Sequence, residues 1–375
     1  MWVFLLFLIF IIYTYFGYPL VLLVLGKMVK PRRDIQPSGG EAPSISVLIP
    51  VYNEEAVIVQ KLENTLGLDY PRDKLEIVVA SDGSTDRTAE LVQPYLDKGV
   101  ILFDYPENRG KMSVINRTMP KLSGELVVFT DASAIFRNDA LSFLASGFRH
   151  EKVGAVSGAL ILKEEEGPQG ELSVDLYWRL EKLVREWESR LYSCVSATGA
   201  IYALRRSLFQ PLPEDTILDD MLIPLMPVRS GYRILFESRA LAFEDGYTNL
   251  KLEFRRKVRT LVGNYQVFFR ASWAILPWKS RISFLLISHK LLRLLVPLAL
   301  FGVFFSCLFG PVYLIPILVI QIIFYCLAWY GLFANRRGDQ PGKLFTVPMT
   351  FCLLNTAALR AFVVYFFQNK NPIWK

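Results

Sequence analysis

Histidine and cysteine are scarce: 2 and 4 residues in a chain of 375. Cys307, Cys326 and Cys352 fall inside apolar runs, Cys194 stands alone, and no Cys-x-x-Cys occurs. Neither a disulfide framework nor a zinc site is therefore expected. His150 and His289 are too few for an imidazole-rich centre. Any metal must be a hard ion held by oxygen. A glycine-rich, lysine-bearing phosphate loop is also missing after the first predicted strand, which removes support for nucleotidyl transfer from a triphosphate.

Apolar sequence, by contrast, is abundant at 52% and unevenly placed. It collects at the N-terminus and in the last quarter, the pattern of membrane segments bracketing a water-facing domain. Trp2 to Leu25 is long enough to cross a bilayer. No basic residue precedes it and no small-residue cleavage site ends it, which argues against a signal peptide. Lys27, Lys30, Arg32 and Arg33 follow, so the positive-inside rule places the next domain in the cytoplasm. Three more spans are expected over Leu291–Phe309, Val312–Phe333 and Phe345–Phe367, the first two joined by a tight Gly310-Pro311 turn. The basic loop Arg336 to Lys343 agrees with this orientation, which puts both termini outside; Lys370 and Lys375 in the tail weigh against that. His289, Lys290 and Arg293 near one span entrance are short-range candidates for snorkelling. The net charge of +7 comes largely from juxtamembrane clusters, including Arg255, Arg256, Lys257 and Arg259. That placement points to anionic headgroups or phosphates, and no nucleic-acid partner is expected.

The expected organisation is a transmembrane helix over 1–26, a polar linker over 27–43, a cytosolic domain over 44–250, amphipathic interface helices over 251–290, and three spans with a short tail over 291–375. Within the soluble part, Ile45–Val51, Leu75–Ala80, Val100–Phe103 and Leu126–Thr130 read as buried strands. Between them Glu54–Leu66, Thr85–Leu96 and Lys111–Leu122 carry apolar residues at helical spacing, with Thr85 and Asn138 as N-caps. The predicted fold class is α/β, a mostly parallel sheet flanked by helices, which binds ligands beyond the carboxyl ends of its strands. An acidic loop at Glu164 to Glu166, a long amphipathic segment near Ser173–Tyr192 and an interface helix over Leu250–Trp273 follow.

Three acidic groups fall just past predicted strand ends or at a helix start. In Ser81-Asp82-Gly83-Ser84-Thr85-Asp86 the glycine permits a sharp turn, Asp82 can accept from a base or ribose, and Asp86 can support the loop. Asp131 leaves a buried apolar strand and needs a partner, for which a divalent cation on a diphosphate is suited. Asp219 and Asp220 open a helix, where one can cap and the other can take a proton from an attacking hydroxyl. Plain turn and cap roles explain each group taken alone.

Taken together with Val47-Leu48-Ile49-Pro50-Val51-Tyr52-Asn53-Glu54-Glu55, Asn108-Arg109-Gly110-Lys111 with Asn116, Ala197-Thr198-Gly199-Ala200 and Arg256-Lys257-Val258-Arg259, these groups resemble glycosyltransferase family 2. The resemblance covers about Ile45 to Gln266, and the flanking spans are similar to those of the cellulose, hyaluronan and poly-N-acetylglucosamine synthases. It implies a GT-A fold in a multi-pass protein of the cell membrane, with inversion by direct displacement. Pro50, Tyr52, Asn53, Glu54, Asp82, Lys111, Asp131, Arg256 and Arg259 would hold a nucleotide-sugar, most naturally a UDP-sugar, and Asp220, with Asp219, would be the catalytic base. The implied cofactor is Mg2+ or Mn2+. The implied partners are a glycan or polyprenyl-linked acceptor, membrane lipids, and an oligomer or export partner.

Two departures stand out. Ser133 occupies the place of the second carboxylate of the Asp-x-Asp motif, so the metal positions are Asp131 and Ser133, completed by substrate oxygens and water. Thr260 stands where the Gln-x-x-Arg-Trp element has tryptophan, so processive synthesis is not implied. A degenerate scaffold that binds nucleotide or glycan without turnover is the non-enzymatic alternative.

Overall fold

The computed structural model describes residues 2–29, 41–163, 171–245, 250–339 and 341–368, without the side chains of 163 and 171–179. Most of the linker, the acidic loop at Glu164 to Glu166, and Lys370 and Lys375 lie outside the described residues. Strand β1 (Ile45–Val51) is buried at every position. A run of aliphatic residues with no polar face needs cover on both sides, which is the situation of a central parallel strand. Accordingly β1 pairs in parallel with β2 (Leu75–Asp82), and β2 with β3 (Val100–Tyr105). On its other edge β1 takes β4 (Leu126–Phe129), again in parallel.

The chain continues through the two-residue β5 (Ile135–Phe136), β6 (Val153–Lys163), β7 (Tyr202–Arg205) and β8 (Arg233–Asp245). The eight strands form one sheet in the order β3-β2-β1-β4-β7-β6-β8-β5. The first half is parallel as the alternating pattern predicts. The second half is mixed: β7 runs antiparallel to β4 and β6, β6 and β8 are parallel, and β5 is antiparallel to β8. The strand order reverses between β1 and β4, so their carboxyl ends open a crevice between them.

The crossover helices are shorter than their apolar periods suggest: Ile58–Leu66, Thr88–Val92 and Lys111–Thr118. Pro94 and Pro120 each begin a tighter 3-10 turn, since proline has no N–H for the α-helical bond. Thr85 and Asn138 are not N-caps. Arg87 and Asp139 take those positions, neither with a capping side-chain bond. Thr85 instead donates its N–H to Asn53 Oδ1 at 2.8 Å, while Asp86 Oδ1 receives the N–H of Thr88 at 2.9 Å.

The chain divides into two compact units, one holding the sheet and the other drawn from residues 2–28, 171–184 and 250–368. Among the described residues of the second unit, four helices are long and apolar enough to cross a membrane: Trp2–Met28, Ser283–Leu308, Val312–Arg336 and Lys343–Phe367. The second begins eight residues before the expected Leu291 and therefore includes His289, Lys290 and Arg293. These three do not act as separate snorkelling groups. All three converge on the buried Glu181 carboxylate, at 3.0, 2.9 and 3.1 Å. A helix forms over Leu250–Arg270, within the expected Leu250–Trp273. Its basic first half is largely exposed, but Val262 to Phe268 are buried. There Tyr265 and Phe269 pack on Tyr365 and Phe366 of the last apolar helix.

Gly83 ends β2 with φ +67, and a Cβ there would stand 2.6 Å from the Asn108 backbone nitrogen. Gly83→Ala should cost about 1–3 kcal/mol through backbone strain, read as a lower thermal unfolding midpoint in detergent. A midpoint equal to wild type would mean that the 107–108 backbone yields freely.

Candidate active site

The crevice floor is built by loops that tie one another down. Asn53 takes a positive φ of 55 at the end of β1. Asparagine tolerates this region better than most residues because its amide bonds locally. Its Oδ1 accepts from Thr85, and its own N–H donates to Ser84 Oγ at 3.2 Å. The Glu54 N–H donates to Thr88 Oγ1 at 2.8 Å, and that of Glu55 to Asp86 Oδ2 at 3.1 Å. The loops after β1 and β2 are thus one hydrogen-bonded body. Asp86 supports the loop, as the sequence suggested.

Asp82 is 2% exposed at the end of β2. Its two oxygens receive the backbone N–H groups of Arg109 and Gly110 at 3.0 and 2.7 Å. This carboxylate therefore fixes the turn that opens the helix Lys111–Thr118 and sets where Lys111 starts.

Lys111 is the hub. Its Nζ lies 2.8 Å from Asp131 Oδ1 and 3.2 Å from Asp219 Oδ2. Burial would lower the pKa of the ammonium, but the Asp131 and Asp219 charges outweigh it and hold it protonated. Asp219 and Asp220 occupy the first turn of the helix Asp219–Leu225. The N-cap is Leu218 and no side-chain capping bond forms, so neither carboxylate is consumed as a cap. Their place suits negative charge at a helix start.

Gly199 closes the space between the acids. A Cβ on it would sit 3.2 Å from Asp131 Oδ2 and 3.6 Å from Asp220 Oδ2. Its N–H donates to Asp220 Oδ2 at 3.1 Å, which orients that carboxylate. Asp220 is half-buried. Burial first, then the Asp219 charge, push its pKa up to about 6, with Lys111 and Arg185 pulling the other way. A carboxylate tuned so is a stronger base than an exposed one and stays ionised at neutral pH.

Three further residues carry weight here without having been singled out from the sequence. Lys61 is fully buried, and its Nζ donates to Thr130 Oγ1 at 2.7 Å and to the Ala134 carbonyl. It pins both ends of the turn that carries Asp131 and Ser133. Burial brings its pKa down to about 7, against the pull of Asp131 and Glu244. Its helical spacing with Ile58, Leu62 and Thr65 was the available signal, because it sets a lysine on an apolar face. Glu244, 8% exposed on β8, accepts from Ser133 Oγ at 2.8 Å. Tyr202 is fully buried and stacks on Phe129, and its hydroxyl has no hydrogen-bond partner among the described residues. An unsatisfied buried hydroxyl costs about 1–3 kcal/mol.

Of the remaining expected residues, Pro50 is buried in β1 opposite Ala80, and Tyr52 and Glu54 are half-buried just beyond it. Burial, then the charges of Asp131, Asp86 and Glu244, raise the Glu54 carboxyl above its ordinary range. Arg256 and Arg259 belong to the other unit, exposed and one helical turn apart on Leu250–Arg270. Their part in the site rests on the resemblance alone.

The residues expected to face a metal, Asp131 and Ser133, offer oxygen donors alone, the chemistry that suits Mg2+ or Mn2+. Among the described residues no three acidic, histidine or cysteine side chains already form a ligand cluster. Such ions are commonly held by one or two carboxylates together with substrate phosphates.

A parallel half-sheet joined to a mixed half, with acids at the carboxyl ends, defines the class as a GT-A fold. Over 98% of this chain and 99% of the other, the structure matches a mannosyltransferase from Pyrobaculum calidifontis, solved with GDP-Man and Mn2+, at a TM-score of 0.74 and 22% identity. Residues 46–212 match the family described as Glycosyl transferase family 2. A Bacillus subtilis protein named as a probable glycosyltransferase is 28% identical over 61% of this chain. The poly-beta-1,6-N-acetyl-D-glucosamine synthase of Staphylococcus aureus is 26% identical over 68%. These alignments cover 57% and 63% of the two relatives' own lengths.

Removing the hub tests the electrostatic argument. Lys111→Met should destabilise the protein by about 2–4 kcal/mol at neutral pH, below the full range for a buried pair because Asp131 is 39% exposed. Thermal unfolding at neutral pH reads this; a midpoint equal to wild type contradicts it.

Proposed function

We propose that this protein is a membrane-anchored, inverting glycosyltransferase that moves a sugar from a nucleoside-diphosphate donor, a UDP-sugar by preference, to a glycan or polyprenyl-linked acceptor at the cytoplasmic face. The observation that carries the reading is the meeting of Asp131, Asp219 and Asp220 around Lys111 and Gly199 at the carboxyl ends of the sheet. Membrane anchoring is supported by the four long apolar helices, and the cytoplasmic placement by the basic residues after the first. The relative named as a polysaccharide synthase supports a glycan or lipid-linked product in cell-surface polysaccharide synthesis.

Asp220 is the general base in this reading. Gly199 fixes its Oδ2 by donating a backbone hydrogen bond, and its raised pKa favours taking the proton of the attacking acceptor hydroxyl. Displacement at the anomeric carbon then breaks the bond to the nucleoside diphosphate with inversion. Lys111, held protonated, places a fixed positive charge beside Asp131, on the side where the leaving group gains negative charge. Mg2+ or Mn2+, when bound at Asp131 and Ser133, supplies neutralisation of the leaving nucleotide. Asn53, Glu54 and the Asp82-anchored turn form the nucleotide side. Arg256 and Arg259 are assigned to the diphosphate.

Nucleotide release from a panel of UDP- and GDP-sugars, measured on the detergent-purified chain, tests this. Asp220→Asn is expected to lower turnover about 10²–10⁴-fold with nucleotide affinity unchanged. In the wild type, turnover should fall as pH drops through about 6, where Asp220 takes a proton. Full turnover by the variant would end the assignment of Asp220. Nucleotide binding with no release from any donor would select the non-enzymatic scaffold instead.

A further inference from the structure

The helix that carries Asp219 and Asp220 has little to fix it locally. Asp219–Leu225 is seven residues long, holds Pro224 in its interior, and receives no side-chain cap from Leu218. So short a helix is marginal by itself, and its place is set by what grips the chain around it. From one side the grip comes from the 197–199 backbone. The Ala197 N–H donates to the Asp220 carbonyl at 3.0 Å, and the Gly199 N–H to Asp220 Oδ2 at 3.1 Å.

On the approach to the helix the grip comes from the helix Lys111–Thr118. Its Ser113 and Asn116 lie three residues apart and so share a face. Asn116 Nδ2 donates to the Leu212 carbonyl at 2.7 Å, and the Leu212 N–H donates back to Asn116 Oδ1 at 3.2 Å. One side chain thus bonds both backbone groups of a buried residue, as a neighbouring strand would. Prolines on either side, Pro211 and Pro213, narrow the conformations open to Leu212. Two residues on, Glu214 Oε1 accepts from Ser113 Oγ at 3.0 Å, and Oε2 accepts from the Arg109 guanidinium at 3.2 Å. Arg109 is also the residue whose N–H is held by Asp82. The chain then folds back, with Thr216 donating its N–H and its hydroxyl to the Pro213 carbonyl at 3.0 and 2.6 Å. Only Ile217 and Leu218 separate that closed turn from Asp219.

The helix that begins with Lys111 therefore meets the acidic segment twice, through the ammonium at Asp219 and through the clamp on Leu212 and Glu214. An ammonium fixes a distance between charges. A reciprocal pair of amide bonds fixes a direction as well, because hydrogen bonds weaken steeply off their axis. We propose that Asn116, assisted by Ser113 and Glu214, is a positioning residue for Asp220: it locks the 212–216 segment so that the helix behind it presents the base in one place. This rests on the proposed function only for the role of Asp220 as base.

Backbone hydrogen exchange of the full chain in detergent tests the clamp. Turnover per nucleotide site, with sites counted by UDP calorimetry, tests its consequence. In Asn116→Ala the amides of 212–222 should exchange about tenfold faster, while those of β1 and β2 keep wild-type rates. Turnover per site should fall about tenfold to a hundredfold with the donor KM within about twofold of wild type, because a displaced base loses alignment and not donor contacts. Wild-type exchange over 212–222 would overturn the proposal, as would faster exchange there with wild-type turnover. Exchange raised equally throughout the sheet would make Asn116 a residue of general stability and overturn it too. Should Asn116→Ala fail to fold, Glu214→Ala, at an exposed position, should move the same amides and the same turnover in the same direction; wild-type values of both would overturn the proposal. Should the wild type turn over no donor, the assignment of the base falls, and exchange at 219–222 decides the clamp: faster in Asn116→Ala sustains it, and unchanged overturns it.

Discussion

One ammonium group holds three distant stretches of the chain together. Lys111 comes from the helix after β3, Asp131 from the end of β4, and Asp219 from a helix that starts almost ninety residues later. Two carboxylates in a poorly hydrated space repel each other unless a cation stands between them. Lys111 bridges the two, and Asp220 is left beside them as the acid whose proton affinity is raised. The division of labour follows from position. Asp219 is committed to the ammonium, while Asp220 is held by a single backbone N–H from Gly199.

The same logic extends outward. Lys111 is where it is because Asp82 fixes the two peptide groups ahead of it. Asp82 in turn ends a strand whose loop is tied to Asn53 and Asp86. On the opposite side Lys61 performs a parallel task for the turn that carries Asp131. Acidic groups thus do two kinds of work here: some organise backbone, and others remain in the crevice. Their chemistry is identical, and only the count of backbone donors facing each one separates the two kinds.

The second unit shows a comparable economy with charge. Glu181 takes His289, Lys290 and Arg293, three side chains from the start of one apolar helix gathered on a single buried carboxylate. The Leu250–Arg270 helix changes character along its length, basic and exposed first, then buried against aromatic residues of the last apolar helix. Its amphipathic pattern alone could not tell an interface helix from one docked on a neighbour, because both bury one face.

The sequence by itself determined the elements whose signal is local. β1 fills its expected seven residues, β2, β3 and β4 lie within a residue or two of theirs, and the apolar runs became long helices, because continuous hydrophobic stretches leave few alternatives. The acidic motifs were also legible, since charged residues at strand ends need a reason. What the sequence could not decide was which acids meet. The mixed half of the sheet, with β7 inserted between β4 and β6, depends on pairings between segments far apart in the chain. That topology brings Gly199 between Asp131 and Asp220, and Glu244 onto Ser133. Ser133 reads as a lost carboxylate in one dimension, whereas the fold sets one against it from a strand more than a hundred residues away, because register and not sequence distance decides neighbours in a sheet.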